Sequence, residues 1–155
     1  MQRQTLSTMQ RSTFAMPNGR SHHFANAYRQ IGVETGVTGA TPHRLVQMLF
    51  DGFIDALAQA RGAMRAGQIE QKGRAIGRAL RIIDEGLKAS LNIDAGGELA
   101  ADLNDLYAYT SLRLMQANRR NDEEALEECR RLIEPLREAW AQIGNAAPAG
   151  AGSAP

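Results

Sequence analysis

The sequence is poor in several things at once, and each shortage excludes something. One cysteine, Cys129, stands in 155 residues, so no internal disulfide can staple the fold, and that usage fits a reducing compartment, the cytosol by default. No apolar run reaches the roughly 18 residues of a membrane span, and the polar start "MQRQTLSTMQRST" lacks the apolar stretch of a secretory signal. Membrane insertion and secretion are not expected. The formal charge is only +1, too little for a general field that would draw the chain onto nucleic acid or an anionic bilayer. Aromatics make up 5% of residues, and none interleave with basic side chains as a base-stacking platform requires.

Catalytic and metal-binding constellations are missing too. A di-metal site in a helical bundle needs inward carboxylates and Glu-x-x-His pairs, and the sequence has neither. His22, His23 and His43 have no cysteine or carboxylate partner at ligand spacing, and His43 lies too near a helix start to act as an exposed mid-helix phosphotransfer residue. The Gly-rich "GVETGVTGATPHR" lacks the G-x-x-x-x-G-K-[ST] pattern and a preceding strand, so it reads as a flexible link rather than a phosphate cradle. Cys129 falls on an apolar helical stripe with no base to activate it. The expectation is a protein that is not an enzyme and uses no cofactor or metal.

What is present is helix. Hydrophobic residues at 43% and charged residues at 23% suit one globular domain with a core of its own. Residues 1–21 are polar without a sustained period and read as a disordered arm. Residues 22–40 read as a capping segment and linker. Residues 41–144 carry four helical segments, and 145–155, "NAAPAGAGSAP", read as a disordered tail. Thr41 is a good N-cap, with Pro42 at the first helical position, where its missing N–H costs nothing. Leu45, Val46, Leu49, Phe53, Ala56, Leu57, Ala60 and Met64 then recur at helical spacing up to Gly67. A second helix from about Ile69 to Leu91 aligns Ile76, Leu80, Ile83, Leu87 and Leu91. A third runs from about Glu98 to Arg119, and a fourth, capped by Asn121 with Glu124 completing a box, carries Leu126, Cys129, Ile133, Leu136, Trp140 and Ile143 to an end near Gly144. Pro135 falls inside it. Similar lengths and short turns predict an all-α, antiparallel, up-down four-helix bundle with a short N-terminal arm.

The apolar inventory exceeds what this core needs. The third helix points Leu103, Leu106, Tyr107, Thr110, Leu114 and Ala117 one way, and Tyr109, Leu112 and Met115 another. Ile54, with Phe50 on the flank, leaves the first stripe, and Ile82 leaves the second. Several such residues on one small bundle point to grooves for an amphipathic or extended partner. They fit equally an arm folded back through Phe24, Tyr28 and Ile31 to complete the core. Charge is also uneven, with four net positives from Arg61 to Lys88 and four net negatives from Asp122 to Glu138; solvated helix faces are the plainer reading of both.

The separated motifs share one resemblance. Tyr28, Val33 and Thr35, then Thr41, Pro42 and Leu45, then Met48, Leu49, Asp51 and Gly52, then Leu106, Tyr107, Tyr109, Ala117 and Asn118, and finally Trp140, fall in the order of the flagellin export chaperone family, FliS. Phe50 stands where that family usually has Tyr. The resemblance covers about residues 27–143. It implies a cytosolic four-helix chaperone that binds the C-terminal segment of flagellin, prevents premature polymerisation and assists delivery to the flagellar export gate, being a monomer or weak dimer when free. The contacts then expected are Tyr28, Ile31, Phe50, Ile54, Tyr107, Tyr109, Leu112 and Met115. Without the resemblance, the residues fit a generic helical-bundle adaptor for another amphipathic segment, and less well a nucleic-acid binder using Arg74 and Arg78.

Overall fold

The computed structural model describes residues 39–153. Four helices follow in order: α1, Pro42–Arg65; α2, Ile69–Arg81, continued by a π-helical segment, Ile82–Leu87; α3, Ile93–Arg120; and α4, Glu123–Ser153. Connections of a few residues reverse the chain between them. Each helix touches its two neighbours, α1 with α2 and α4, and α3 with α2 and α4, while neither diagonal pair meets among the described residues. That is the up-down four-helix bundle expected from equal amphipathic rods and short turns. No strand occurs among the described residues, and no described helix is long and apolar enough to cross a membrane.

Local chemistry sets the ends. The Thr41 hydroxyl accepts from the Arg44 amide at 3.1 Å, with Pro42 following it, so one orphan amide is satisfied and another is never created. The α3–α4 corner differs from the sequence reading. Asn121 is not the cap of α4 but the left-handed C-cap of α3, at φ 53° and ψ 47°, a conformation Asn tolerates better than most residues. Capping falls to Asp122, whose carboxylate accepts from the Ala125 amide at 3.2 Å. Glu124 pairs instead with Arg131 at 3.1 Å. The freed Asn121 side chain accepts from Lys72 Nζ at 3.0 Å, and Lys72 also donates to the Asn118 carbonyl at 3.0 Å. Lys72, counted with a basic surface in the sequence, is therefore buried, and its charge lies against the negative end of α3.

Two backbone irregularities shape the core. After Arg81 the hydrogen bonding widens, with the Lys88 amide reaching the Ile83 carbonyl at 2.8 Å. The wider turn places Ile82 and Ile83 both inside. Ile82, expected off the stripe, is a fully buried core residue because a wheel of 100° per residue no longer holds across a π turn. Gly86 permits the same region to press on α1: a Cβ there would lie 2.8 Å from Leu49 Cδ2. In α3, Gly97 adopts φ 59°, ψ −133° and kinks the helix, which is why the regular pattern in the sequence begins near Glu98. At the other end, α4 continues helical to Ser153 instead of stopping near Gly144, and it runs through Pro135 on the exposed side.

The core is mainly apolar. Phe53, Leu49, Ile76, Ile83, Leu87, Leu114, Leu126 and Ile133 are fully buried, with Leu103, Leu136, Val46 and Trp140 packed around them. Leu106, expected on the core stripe, is only partly buried. Near the N-terminus of α1, the His43 ring stacks on Trp140 with centroids 4.7 Å apart. His43 Nε2 lies 2.8 Å from the Trp140 carbonyl, and Trp140 Nε1 donates to the His43 carbonyl at 3.0 Å. This reciprocal pair fastens the start of α1 to the late part of α4.

Candidate partner-binding face

An α-helix with neighbours on two sides has one arc left over. On α3 the side facing the bundle buries Tyr107, Thr110, Ser111, Leu114 and Ala117. Ser111 bonds Asp84 of the π segment at 2.9 Å, which marks the α2 side of the helix. The remaining arc bears Tyr109, Leu112 and Met115, exposed by 42%, 48% and 46%. At 100° per residue Leu112 stands between the other two, separated from each by one three-residue step. Three large apolar side chains thus form a continuous strip on the outside of a bundle that already buries an apolar core of its own. Scattered apolar surface residues need no explanation, but a contiguous strip does.

The strip has a polar border on its α4 side. Tyr109 Oη donates to Glu128 Oε2 at 2.6 Å, and Arg113 Nε donates to Glu128 Oε1 at 2.6 Å. Arg113 also donates through Nη1 to Gln116 Oε1 at 2.5 Å. Both carboxylate oxygens of Glu128 are therefore engaged by α3. The hydrogen bond from Tyr109, and then that from Arg113, holds the Glu128 carboxyl below the usual carboxylate range. The reciprocal effect raises the Tyr109 phenol, chiefly through its bond to Glu128.

The structure separates the other expected contact residues. Phe50 and Tyr107 are 4% and 3% exposed and offer a partner no surface in this conformation. Phe50 is inside because α1 packs against both α2 and α4 and buries a wider arc than a single stripe; burial also pushes the Tyr107 phenol up to about 12. Ile54 is half-buried and lines a groove of about 200 Å³ between α1 and α4, together with Leu57, Ala58 and Leu126. Arg61 and Arg130 flank that groove and pair with Glu127 at 3.7 and 2.5 Å. Tyr28 and Ile31 lie outside the described residues.

The border of the strip escaped the sequence reading. Arg113 and Gln116 follow Tyr109 at helical spacing, a visible signal, but Glu128 belongs to the next helix and only packing reveals it. The acidic run of α4 is partly tied to α1: Arg65 donates to Glu123 through Nε at 2.8 Å and Arg61 pairs with Glu127 at 3.7 Å, while the basic Arg137 of α4 joins Asp51 of α1 at 2.8 Å. Cys129 is buried, donates to the Thr110 carbonyl at 3.7 Å, and has its thiol pushed up to about 12 by burial. Such a thiol is a core residue rather than a nucleophile. Among the described residues no group of His, Cys, Asp or Glu could hold a metal ion.

Comparison with known proteins converges on one family. The family model described as flagellar protein FliS matches residues 24–147. The flagellar secretion chaperone FliS of Salmonella typhimurium is 49% identical over 117 residues, spanning 76% of this chain and 87% of that protein. The flagellar secretion chaperone FliSB of Pseudomonas aeruginosa is 44% identical over 118 residues, spanning 76% and 93%. That of Bacillus subtilis is 35% identical over 116 residues, spanning 75% and 82%. The matched stretch takes in the α1 start, the π segment, the two-sided α3 and the His43–Trp140 fastening, and on this similarity the chain belongs to the flagellar protein FliS family.

Proposed function

We propose that the protein is a flagellar secretion chaperone that binds the C-terminal segment of flagellin in the cytosol, keeps the subunits from polymerising early and helps deliver them to the export gate. The observation that carries the reading is the strip of Tyr109, Leu112 and Met115 on the outside of a bundle with an apolar core of its own. A segment that becomes an amphipathic helix only when it packs on neighbouring subunits needs its apolar face covered beforehand, and the strip supplies a matching surface. The contacts we assign are Tyr109, Leu112 and Met115, with Ile54 at the α1–α4 groove and Tyr28 and Ile31 from the N-terminal side. Phe50 and Tyr107 contribute through the fold. Ordering a client segment consumes part of the interaction energy, so a large contact area is compatible with release.

The test is a mixture of the purified protein with flagellin, and with flagellin lacking its C-terminal segment, followed by sedimentation. A one-to-one complex with the intact subunit and none with the truncated one is the expected result. Sedimentation identical to that of the separate proteins overturns the proposal. Equal binding to both flagellins leaves a chaperone that grips another segment, which also overturns the assignment of the C-terminal client.

A further inference from the structure

Tyr109 differs from its two apolar neighbours in being tethered. Its hydroxyl is held 2.6 Å from Glu128 Oε2, and the other oxygen of that carboxylate is held at 2.6 Å by Arg113 Nε. Arg113 is in turn steadied by Gln116 at 2.5 Å. A tyrosine fixed at both its backbone and its hydroxyl has little freedom to swing about its two side-chain torsions. Bonds to a charged acceptor are the strong ones. The tether runs from α3 to α4, so it also sets the ring relative to the neighbouring helix. Leu112 and Met115 carry no such constraint, being apolar and about half exposed.

We infer that Glu128, braced by Arg113 and Gln116, is a positioning residue for client binding, which holds the Tyr109 ring as a preset wall of the apolar strip. This rests on the proposal that the strip binds flagellin. A ring already fixed in the free protein loses less freedom when a client packs against it, and that saving appears as affinity. Glu128 itself makes no apolar contact in this scheme; it acts through Tyr109.

A double-mutant cycle tests this. Tyr109→Phe and Glu128→Ala each lower the affinity for flagellin by about 2- to 10-fold, the range set by the cost of immobilising one side chain. The double variant loses no more than the larger single loss, because both remove the same tether. Leu112→Ala, in contrast, adds its loss to either. Glu128→Gln keeps one acceptor oxygen for the Tyr109 hydroxyl but turns an amide N–H toward Arg113 Nε and loses the charge, so it recovers only part of the affinity lost in Glu128→Ala. Denaturant midpoints distinguish positioning from a general loosening: they stay unchanged for Tyr109→Phe, a surface substitution that keeps the ring. Additive losses, unaltered affinity in Tyr109→Phe, or a Glu128→Gln variant as weak as Glu128→Ala overturns the inference. Failure of the unaltered protein to bind flagellin overturns the function proposed above instead, so the two failures are distinct.

Discussion

Tyr107 and Tyr109 stand two residues apart on α3 and live in different media. Tyr107 is buried, with its phenol pushed up to about 12 by burial alone. Tyr109 is nearly half exposed, and its hydroxyl is bonded to a carboxylate of the next helix. The same residue type therefore serves as core filler on one face and as a tethered surface ring on the other. Leu114 and Leu112 repeat the contrast: the first is fully buried and the second about half exposed. Position on the helix, rather than hydrophobicity, decides whether an apolar side chain on α3 stabilises the fold or is free to meet a partner.

The sharpest way to break that comparison is to truncate both leucines. Leu114→Ala is expected to cost about 2 to 5 kcal/mol of stability through lost burial and the cavity left behind. Denaturant melts measure it, and under conditions where the variant is folded flagellin binding remains intact. A cost below about 0.5 kcal/mol, the usual bound for a surface site, would erase the distinction between the faces. Leu106, only partly buried, is a poorer reference for the inner face than Leu114.

A second test uses pH. Cys129 and Tyr107 have ordinary values near 9.0 and 10.0, and burial raises both to about 12. The unfolded chain therefore releases these protons before the folded one does. The stability they support is whole below about pH 9 and is lost as pH rises from there through about 12. Melts over that range should show a falling midpoint, and Cys129→Ala should flatten the first part of the fall. Tyr109, whose phenol is also raised by its bond to Glu128, adds to the same loss, and Tyr109→Phe removes that share. A midpoint that holds level between pH 9 and 12 would contradict the burial of both groups.

The smallest change in stability belongs to the outer face. Leu112→Ala should alter stability by less than about 0.5 kcal/mol while lowering affinity for flagellin by more than about 1 kcal/mol, as a central apolar anchor does. Titration and melts on the same preparation read both numbers. A variant that loses stability and keeps its affinity would place Leu112 with the core and end the case for the strip.

Much of this was legible without the fold. The Thr41–Pro42 start, the four apolar periods and the two-sided pattern of α3 are all properties of nearest neighbours along one helix, and a regular helix transmits them faithfully. Where the helix is irregular, the same reasoning failed. Ile82 lies inside, against the expectation from its spacing, because the constant turn of a helical wheel does not hold where the segment widens to a π turn. Asn121 and Asp122 exchanged roles because two good capping residues stand side by side, and only the turn into α4, with Lys72 waiting for an acceptor, chooses between them.

The sequence by itself therefore determined the class of the protein: helices, their order, the apolar core and the apolar surplus on α3. These follow from spacing, capping and composition, which act over a few residues at a time. Tertiary structure alone decided which of the surplus stays outside. It drew Phe50 and Ile82 into the core, left Ile54 at a groove, and brought Glu128 of α4 to the hydroxyl of Tyr109, 19 residues earlier in the chain. The physical reason is that exposure is a property of neighbours in space: a helix's own period tells which residues share a face, but only the packing of the other helices tells which faces are covered.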